Sequence, residues 1–205
     1  MSHYFDQAAS TWDANPMRIE RAQKTAETIK KLPLSSRKSL LDFGGGTGLL
    51  SAFLKDWFED IVIGDASGEM LNVAKKKISS AGINNIKTCQ LKGLSELAGR
   101  FSAIATLMTL HHIMDISAFF CEAYEKLETN GSLIVADLYA EGGSYHSHHS
   151  GFEGHNGFEP EALINIAQQY GFRAQHVESY YEICKVQDDG STVNYPLFFL
   201  AVQKI

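Results

Sequence analysis

The sequence predicts an α/β domain, with seven strands in a mostly parallel sheet, helices on both faces and an antiparallel strand pair at the C-terminal end. Three observations carry this. Short, nearly continuous apolar runs alternate with longer amphipathic stretches, the rhythm of a parallel sheet covered on both sides. A glycine-rich turn follows the first apolar run and opens a helical stretch. The last two apolar runs are joined by a turn-rich segment in place of a helix.

The chain opens with a helical region reaching about Leu32. Strands are expected at Ser39–Phe43, Ile61–Gly64, Ile86–Gln90, Phe101–Leu107 and Ser132–Leu138, the apolar runs that alternate with helical patterns. Helices are expected between them at Leu49–Phe58, Glu69–Ser80 and Ile116–Leu127. Ser67 reads as an N-cap, Glu69 lies in the first turn, Lys75, Lys76 and Lys77 lie toward the end, and Gly82 is the stop. A later helix has Pro160 in its first turn and Gly171 beyond its end. The closing strands, Ala174–Val186 and Val193–Lys204, flank the turn Gln187-Asp188-Asp189-Gly190-Ser191. Tyr139–Phe158, rich in Gly, Ser and His, stands outside the alternation, and a long irregular stretch in a compact domain is often functional.

Composition narrows the function. The 205 residues suit one domain, 44% hydrophobic and 20% charged, and no apolar run approaches the ~20 residues of a membrane span. No secretory leader is visible, and three scattered cysteines (Cys89, Cys121, Cys184) point to a reducing, cytoplasmic setting. A net charge of −6 argues against nucleic acid as partner. The basic residues from Arg18 to Lys38 are interrupted by Glu20 and Glu27 and fit the solvated side of a helix.

The strongest chemical signal is Leu40-Leu41-Asp42-Phe43-Gly44-Gly45-Gly46-Thr47-Gly48, an apolar strand running into a glycine turn. Asp65 lies 23 residues after Asp42, at the end of the second strand, where a carboxylate can accept from both hydroxyls of a ribose. The turn is not the dinucleotide fingerprint, because its third glycine would fall at Leu49, and no Gly-Lys-Ser/Thr is present to grip phosphate. Asp42 inside the crevice would repel a pyrophosphate and suits a ligand carrying an amino group and a sulfonium. These features weigh against the competing reading of an NAD-dependent oxidoreductase. The acceptor side has no diagnostic motif, so a binding protein without catalysis stays open.

Asp42–Gly48 resembles the first motif of class I S-adenosylmethionine-dependent methyltransferases, and Asp65-Ala66-Ser67-Gly68-Glu69-Met70-Leu71 resembles their second. Leu110-His111-His112, Asn130-Gly131-Ser132-Leu133-Ile134-Val135 and the opening Phe5-Asp6-Gln7-Ala8-Ala9-Ser10-Thr11-Trp12-Asp13 are similar to further segments of small-molecule members. The resemblance covers nearly the whole chain and implies a Rossmann-like sheet and S-adenosylmethionine as methyl donor, with S-adenosylhomocysteine as product. It implies that Gly44, Gly46 and Gly48 line the methionine and ribose parts, that Asp42 helps hold the amino group, and that Asp65 binds the ribose. Ala66, Met70 and Leu107 would pack on the cofactor, and Leu91 would donate its amide to adenine. Gln90 stands where many members carry an aspartate that accepts from the adenine amino group. Phe101-Ser102 replaces the usual Phe-Asp of strand four.

Methyl transfer from a sulfonium is an in-line displacement in which the protein chiefly positions the acceptor and, for an O–H or N–H, receives its proton. By position, His111, Asp137 and His155 are the candidate catalytic residues. Tyr4, Trp12 and Tyr139 are the candidates for holding a small-molecule acceptor. No proline follows strand four and no Pro-Cys pair occurs, unlike the DNA-directed members. The histidines of Tyr145-His146-Ser147-His148-His149 and His155 have no cysteine or aspartate close by in sequence, so no metal is expected. Residues 1–205 then form one methyltransferase domain, with 1–32 as a helical cover and 139–158 as a loop over the active site.

Overall fold

The computed structural model describes residues 2–147, 151–186 and 190–205. His148, His149 and the turn residues Gln187, Asp188 and Asp189 lie outside them. Five strands run parallel: β1 (Ser39–Phe43), β2 (Asp60–Asp65), β3 (Ile86–Gln90), β4 (Phe101–Leu107) and β5 (Leu127–Leu138). β7 (Thr192–Lys204) lies antiparallel between β5 and β6 (Phe172–Val186). The sheet has seven strands in the order β3-β2-β1-β4-β5-β7-β6. Strand order reverses between β1 and β4, and a crevice opens there at the carboxyl ends.

Alternation along each strand divides the core into two layers. Leu40, Ile134, Ala136 and Phe199 face one side, under α2 (Pro16–Ile29), α3 (Leu49–Leu54) and α4 (Gly68–Ser80). Leu41, Leu133, Val135 and Phe198 face the other, under α5 (Ile116–Lys126) and α6 (Pro160–Gln169). Phe120, Phe198 and Phe199 are wholly buried. Burying one such ring contributes roughly 1.5–3 kcal/mol, and the sheet depends on both layers.

The expected ends of α4 are present. Ser67 Oγ accepts from Met70 N at 3.1 Å, and Gly82 takes φ +64° past the last turn. Three boundaries differ. The helix expected to reach Phe58 stops at Leu54, because Trp57 and Phe58 both donate to Leu54 O (2.8 and 3.2 Å) in a tight turn that buries the Phe58 ring. β5 begins at Leu127, not Ser132, and carries an irregularity around Asn130 (φ +60°). The N-terminal region breaks into α1 (Ser2–Ala8), a 3-10 turn (Ala9–Ala14) and α2, because Asn15 caps a helix that Pro16 starts.

The described parts of the 139–158 segment, residues 139–147 and 151–158, are less irregular than expected. Tyr139 bridges Phe158, Glu141 N donates to Asn156 O, and Ser144–His146 form a 3-10 turn. No described helix is long and apolar enough to cross a membrane.

Candidate active site

The glycine turn is shaped by close approach. A side chain at Gly44 (φ +69°) would meet Thr109 at 2.2 Å, and one at Gly45 would meet the Asp42 carboxyl at 2.7 Å. Gly46 is different: a Cβ there would stand 3.8 Å from Met70 Sδ, so its backbone faces open cleft. Gly46 N donates to Asp65 Oδ2 and Ser67 N to Asp65 Oδ1, both at 2.8 Å. The Asp65 carboxylate thus ties the two motifs together and keeps lone pairs for further donors. Burial raises its pKa, and the backbone donors pull it back. Asp42 is fully buried. Desolvation pushes its pKa to about 6 against the hydrogen bond from Ser51 Oγ (2.6 Å), and the Asp65 charge adds to the rise.

Ala66, Met70, Leu91 and Leu107 line the same cleft and offer an apolar bed for a planar base. Three expectations are corrected here. Gly48 does not line the cleft; at φ +77° it opens α3 and packs on Ile63, where a Cβ would come within 2.6 Å. Gln90 does not line it either; its Nε2 donates to Ala66 O at 3.0 Å and braces the second motif. The Leu91 amide, expected to serve adenine, donates to Asp65 O at 3.0 Å within the protein.

At the other end, Met108 turns the chain after β4 in a left-handed conformation (φ +55°), a strained geometry for a side-chain-bearing residue. A 3-10 turn, Leu110–His112, follows. His111 is buried, and its Nδ1 lies 2.6 Å from Asp137 Oδ1 while its amide donates to Asp137 Oδ2 at 3.2 Å. Burial alone would raise the Asp137 pKa, but the adjacent His111 side chain and the hydrogen bonds from the His111 and Leu138 amides hold it below the usual carboxylate value. Asp137 does not line the cleft but contacts His111, which does. His112 and His146 complete a cluster in which one ligand atom from each of the three imidazoles lies within 4.8 Å of the others. Phe152 stacks on His146 (centroids 3.7 Å, planes 4° apart). The sequence reading sought metal ligands among neighbours of the loop histidines. It missed this convergence, which depends on the loop returning over β4.

Two further expectations are corrected. His155 lies outside the cleft; its Nε2 donates to Ile113 O (2.9 Å) and its amide to His111 O (2.8 Å), which fastens the loop beneath the site. Tyr139 also lies outside, with its ring edge-on to Phe198 at 5.6 Å. Tyr4 and Trp12 do line the cleft, together with Phe5, whose ring meets His112 at 5.4 Å and Trp12 at 5.7 Å.

The N-terminal elements are fastened over the glycine turn. Ser67 Oγ donates to Asp6 Oδ1, Thr47 Oγ1 to Asp13 Oδ1 and Lys77 Nζ to Asp13 Oδ2, each at 2.6 Å. The result is one continuous cleft of about 880 Å³, running from the ribose carboxylate to the imidazole cluster. That is near the upper end for small-ligand sites and holds a nucleoside-sized cofactor with a second molecule beside it.

A carboxylate at the end of β2, a bare backbone at Gly46 and an apolar bed across the topological switch define a class, the S-adenosylmethionine-dependent methyltransferases of the Rossmann-like type. The chain belongs to the methyltransferase domain family, whose profile matches residues 17–177. It is 31% identical over 147 residues to an uncharacterised methyltransferase of Schizosaccharomyces pombe, covering 64% of this chain and 52% of that one. It is 24% identical over 147 residues to a ubiquinone biosynthesis O-methyltransferase of Sinorhizobium fredii, covering 64% and 59%. The match therefore spans little more than half the length of these relatives. Its fold is similar to that of a SAM-dependent methyltransferase from Aquifex aeolicus (TM-score 0.68, 16% identity, 93% and 99% of the two chains). It is also similar to that of one from Clostridium acetobutylicum (TM-score 0.65, 17% identity, 90% of each).

Proposed function

We propose that this protein transfers a methyl group from S-adenosylmethionine to a hydroxyl of a small-molecule acceptor. One observation carries the reading: a single cleft joins the cofactor-binding turns to three imidazoles, one of them held by a buried carboxylate. When bound, S-adenosylmethionine supplies the electrophilic methyl group. Asp65 would hold the ribose, Gly46 would let the cofactor approach the protein backbone closely, and Asp42 would favour its positive end. Phe5, Trp12 and Phe152 wall the acceptor side and exclude water. Asp137 fixes the His111 tautomer with the proton on Nδ1, which leaves the Nε2 lone pair to take the acceptor's proton. An oxygen acceptor agrees with relatives named ubiquinone biosynthesis O-methyltransferases. The α1 to α2 region and residues 139–158 act as covers. Free thiols at Cys89, Cys121 and Cys184 suit a cytoplasmic protein.

The test is a screen of small hydroxylated molecules with methyl-labelled cofactor. The expected result is label in a small product with stoichiometric S-adenosylhomocysteine. Label only in protein or nucleic acid, or cofactor binding with no turnover across the screen, refutes it.

A further inference from the structure

Beyond the imidazoles the cleft ends in positive charge. Arg18 and Arg21 reach it from α2, and Lys185 from β6. Arg21 is 9% exposed, and its Nε has no hydrogen-bond partner among the described residues. Arg18 lies 3.6 Å over the Trp12 ring and donates to Trp12 O, while Lys185 Nζ sits 4.0 Å over the Tyr145 ring and donates to Tyr145 O at 2.7 Å. Desolvation lowers the pKa of both Arg18 and Lys185.

The acidic groups near this end are held by other donors through at least one oxygen each. Asp13, the neighbour of Arg18, is held by Thr47 and Lys77. Glu141, the neighbour of Lys185, accepts from Ser144 and Tyr145 through Oε2, while its buried Oε1 has no hydrogen-bond partner among the described residues. Glu20 meets Tyr181 on the exposed side. Arg21 also hydrogen-bonds the Tyr145 phenol and acts through its charge on Tyr180 and Tyr181, all neutral partners that leave its charge uncompensated. Three cations gathered at a half-closed cleft cost free energy unless an anion is supplied.

We propose that the ligand supplies it: Arg21, with Arg18 and Lys185, binds the carboxylate of the methyl acceptor, which is therefore an organic acid. The proposal rests on the methyltransferase reading and names its substrate class. The Tyr145 ring lies 4.8 Å from that of His146, so an acid anchored at Arg21 extends past Tyr145 toward His111. Trp12, Tyr145 and Phe152 give this passage flat apolar walls, which select an aromatic or other planar acid. A planar guanidinium suits a carboxylate because it binds both oxygens at once.

The experiment is calorimetric titration of 3-hydroxybenzoate and of its neutral methyl ester into protein saturated with S-adenosylhomocysteine. The acid is expected to bind at least tenfold more tightly than the ester. Arg21→Gln is expected to abolish that preference, Arg21→Lys to keep part of it, and Lys185→Gln, at a position less buried than Arg21, to reduce it in a protein that folds normally. Equal affinity for acid and ester, no binding of either at millimolar concentration, or a preference untouched by Arg21→Gln and Lys185→Gln each overturns the proposal. Binding of inorganic phosphate without the acid overturns the carboxylate assignment too. Saturation by S-adenosylhomocysteine is read separately, so loss of acid selectivity is distinguishable from failure of the methyltransferase reading.

Discussion

Replacing Asp65 by alanine removes one carboxylate from two jobs at once. In the protein alone, its oxygens accept from Gly46 N and Ser67 N at 2.8 Å each. In the proposed cofactor complex, the remaining lone pairs would take the ribose hydroxyls. Two charge-assisted bonds of that kind contribute roughly 2–4 kcal/mol, so the affinity for S-adenosylhomocysteine should fall roughly 30- to 1000-fold. Asp65→Asn separates the two jobs. Its single carbonyl keeps one backbone bond, the glycine turn loses less order, and the ribose still loses its charged acceptor. The expected order of affinity is wild type, then Asp65→Asn, then Asp65→Ala. Calorimetry reads the affinity, with circular dichroism and thermal melting to show that each variant is folded. An unchanged dissociation constant in a folded Asp65→Ala would refute the reasoning, and so would Asp65→Asn binding as well as wild type.

Other consequences follow from the same geometry. The Asp42 pKa lies at about 6, above its ordinary 3.8, so the folded state holds this proton more tightly than the unfolded chain. Its stabilising contribution, roughly 3 kcal/mol, is complete below about pH 4 and lost as pH rises through 6. Thermal melts should show wild type losing stability over that window relative to Asp42→Asn, and parallel curves would contradict the assignment. Asp13→Ala releases both Thr47 and Lys77 from the N-terminal cover and should raise the S-adenosylhomocysteine dissociation constant about fivefold, or about 1 kcal/mol, by calorimetry. Lys77→Ala should do less, since that ion pair is partly exposed, and equal loss in both variants would be the wrong outcome. Turnover should survive exhaustive chelation; loss with EDTA and recovery with one divalent ion would assign His111, His112 and His146 to a metal. With cofactor product and acceptor bound, hydrogen exchange should slow together in residues 2–14 and 139–147, and unchanged exchange in both would argue against their role as covers.

The sequence by itself determined the sheet and the two motifs that meet at Asp65, because both are local. Mostly apolar runs specify buried parallel strands, and a strand, a glycine turn and an acidic residue one strand later form a pattern readable without reference to distant residues. Ser67 as N-cap and Gly82 as stop were legible for the same reason. Tertiary structure decided which nearby residues face the cleft. Gln90, Gly48, His155 and Tyr139 sit at the right places in the chain, yet their side chains or backbones serve packing and bracing, because side-chain direction depends on what packs against each element. It alone brought His146 to His111 and His112, and Lys185 to Arg18 and Arg21. Those groups come from segments far apart in sequence, and no periodicity or spacing records a contact that exists only once the loop after β5 and the last hairpin have folded back over the carboxyl ends of the sheet.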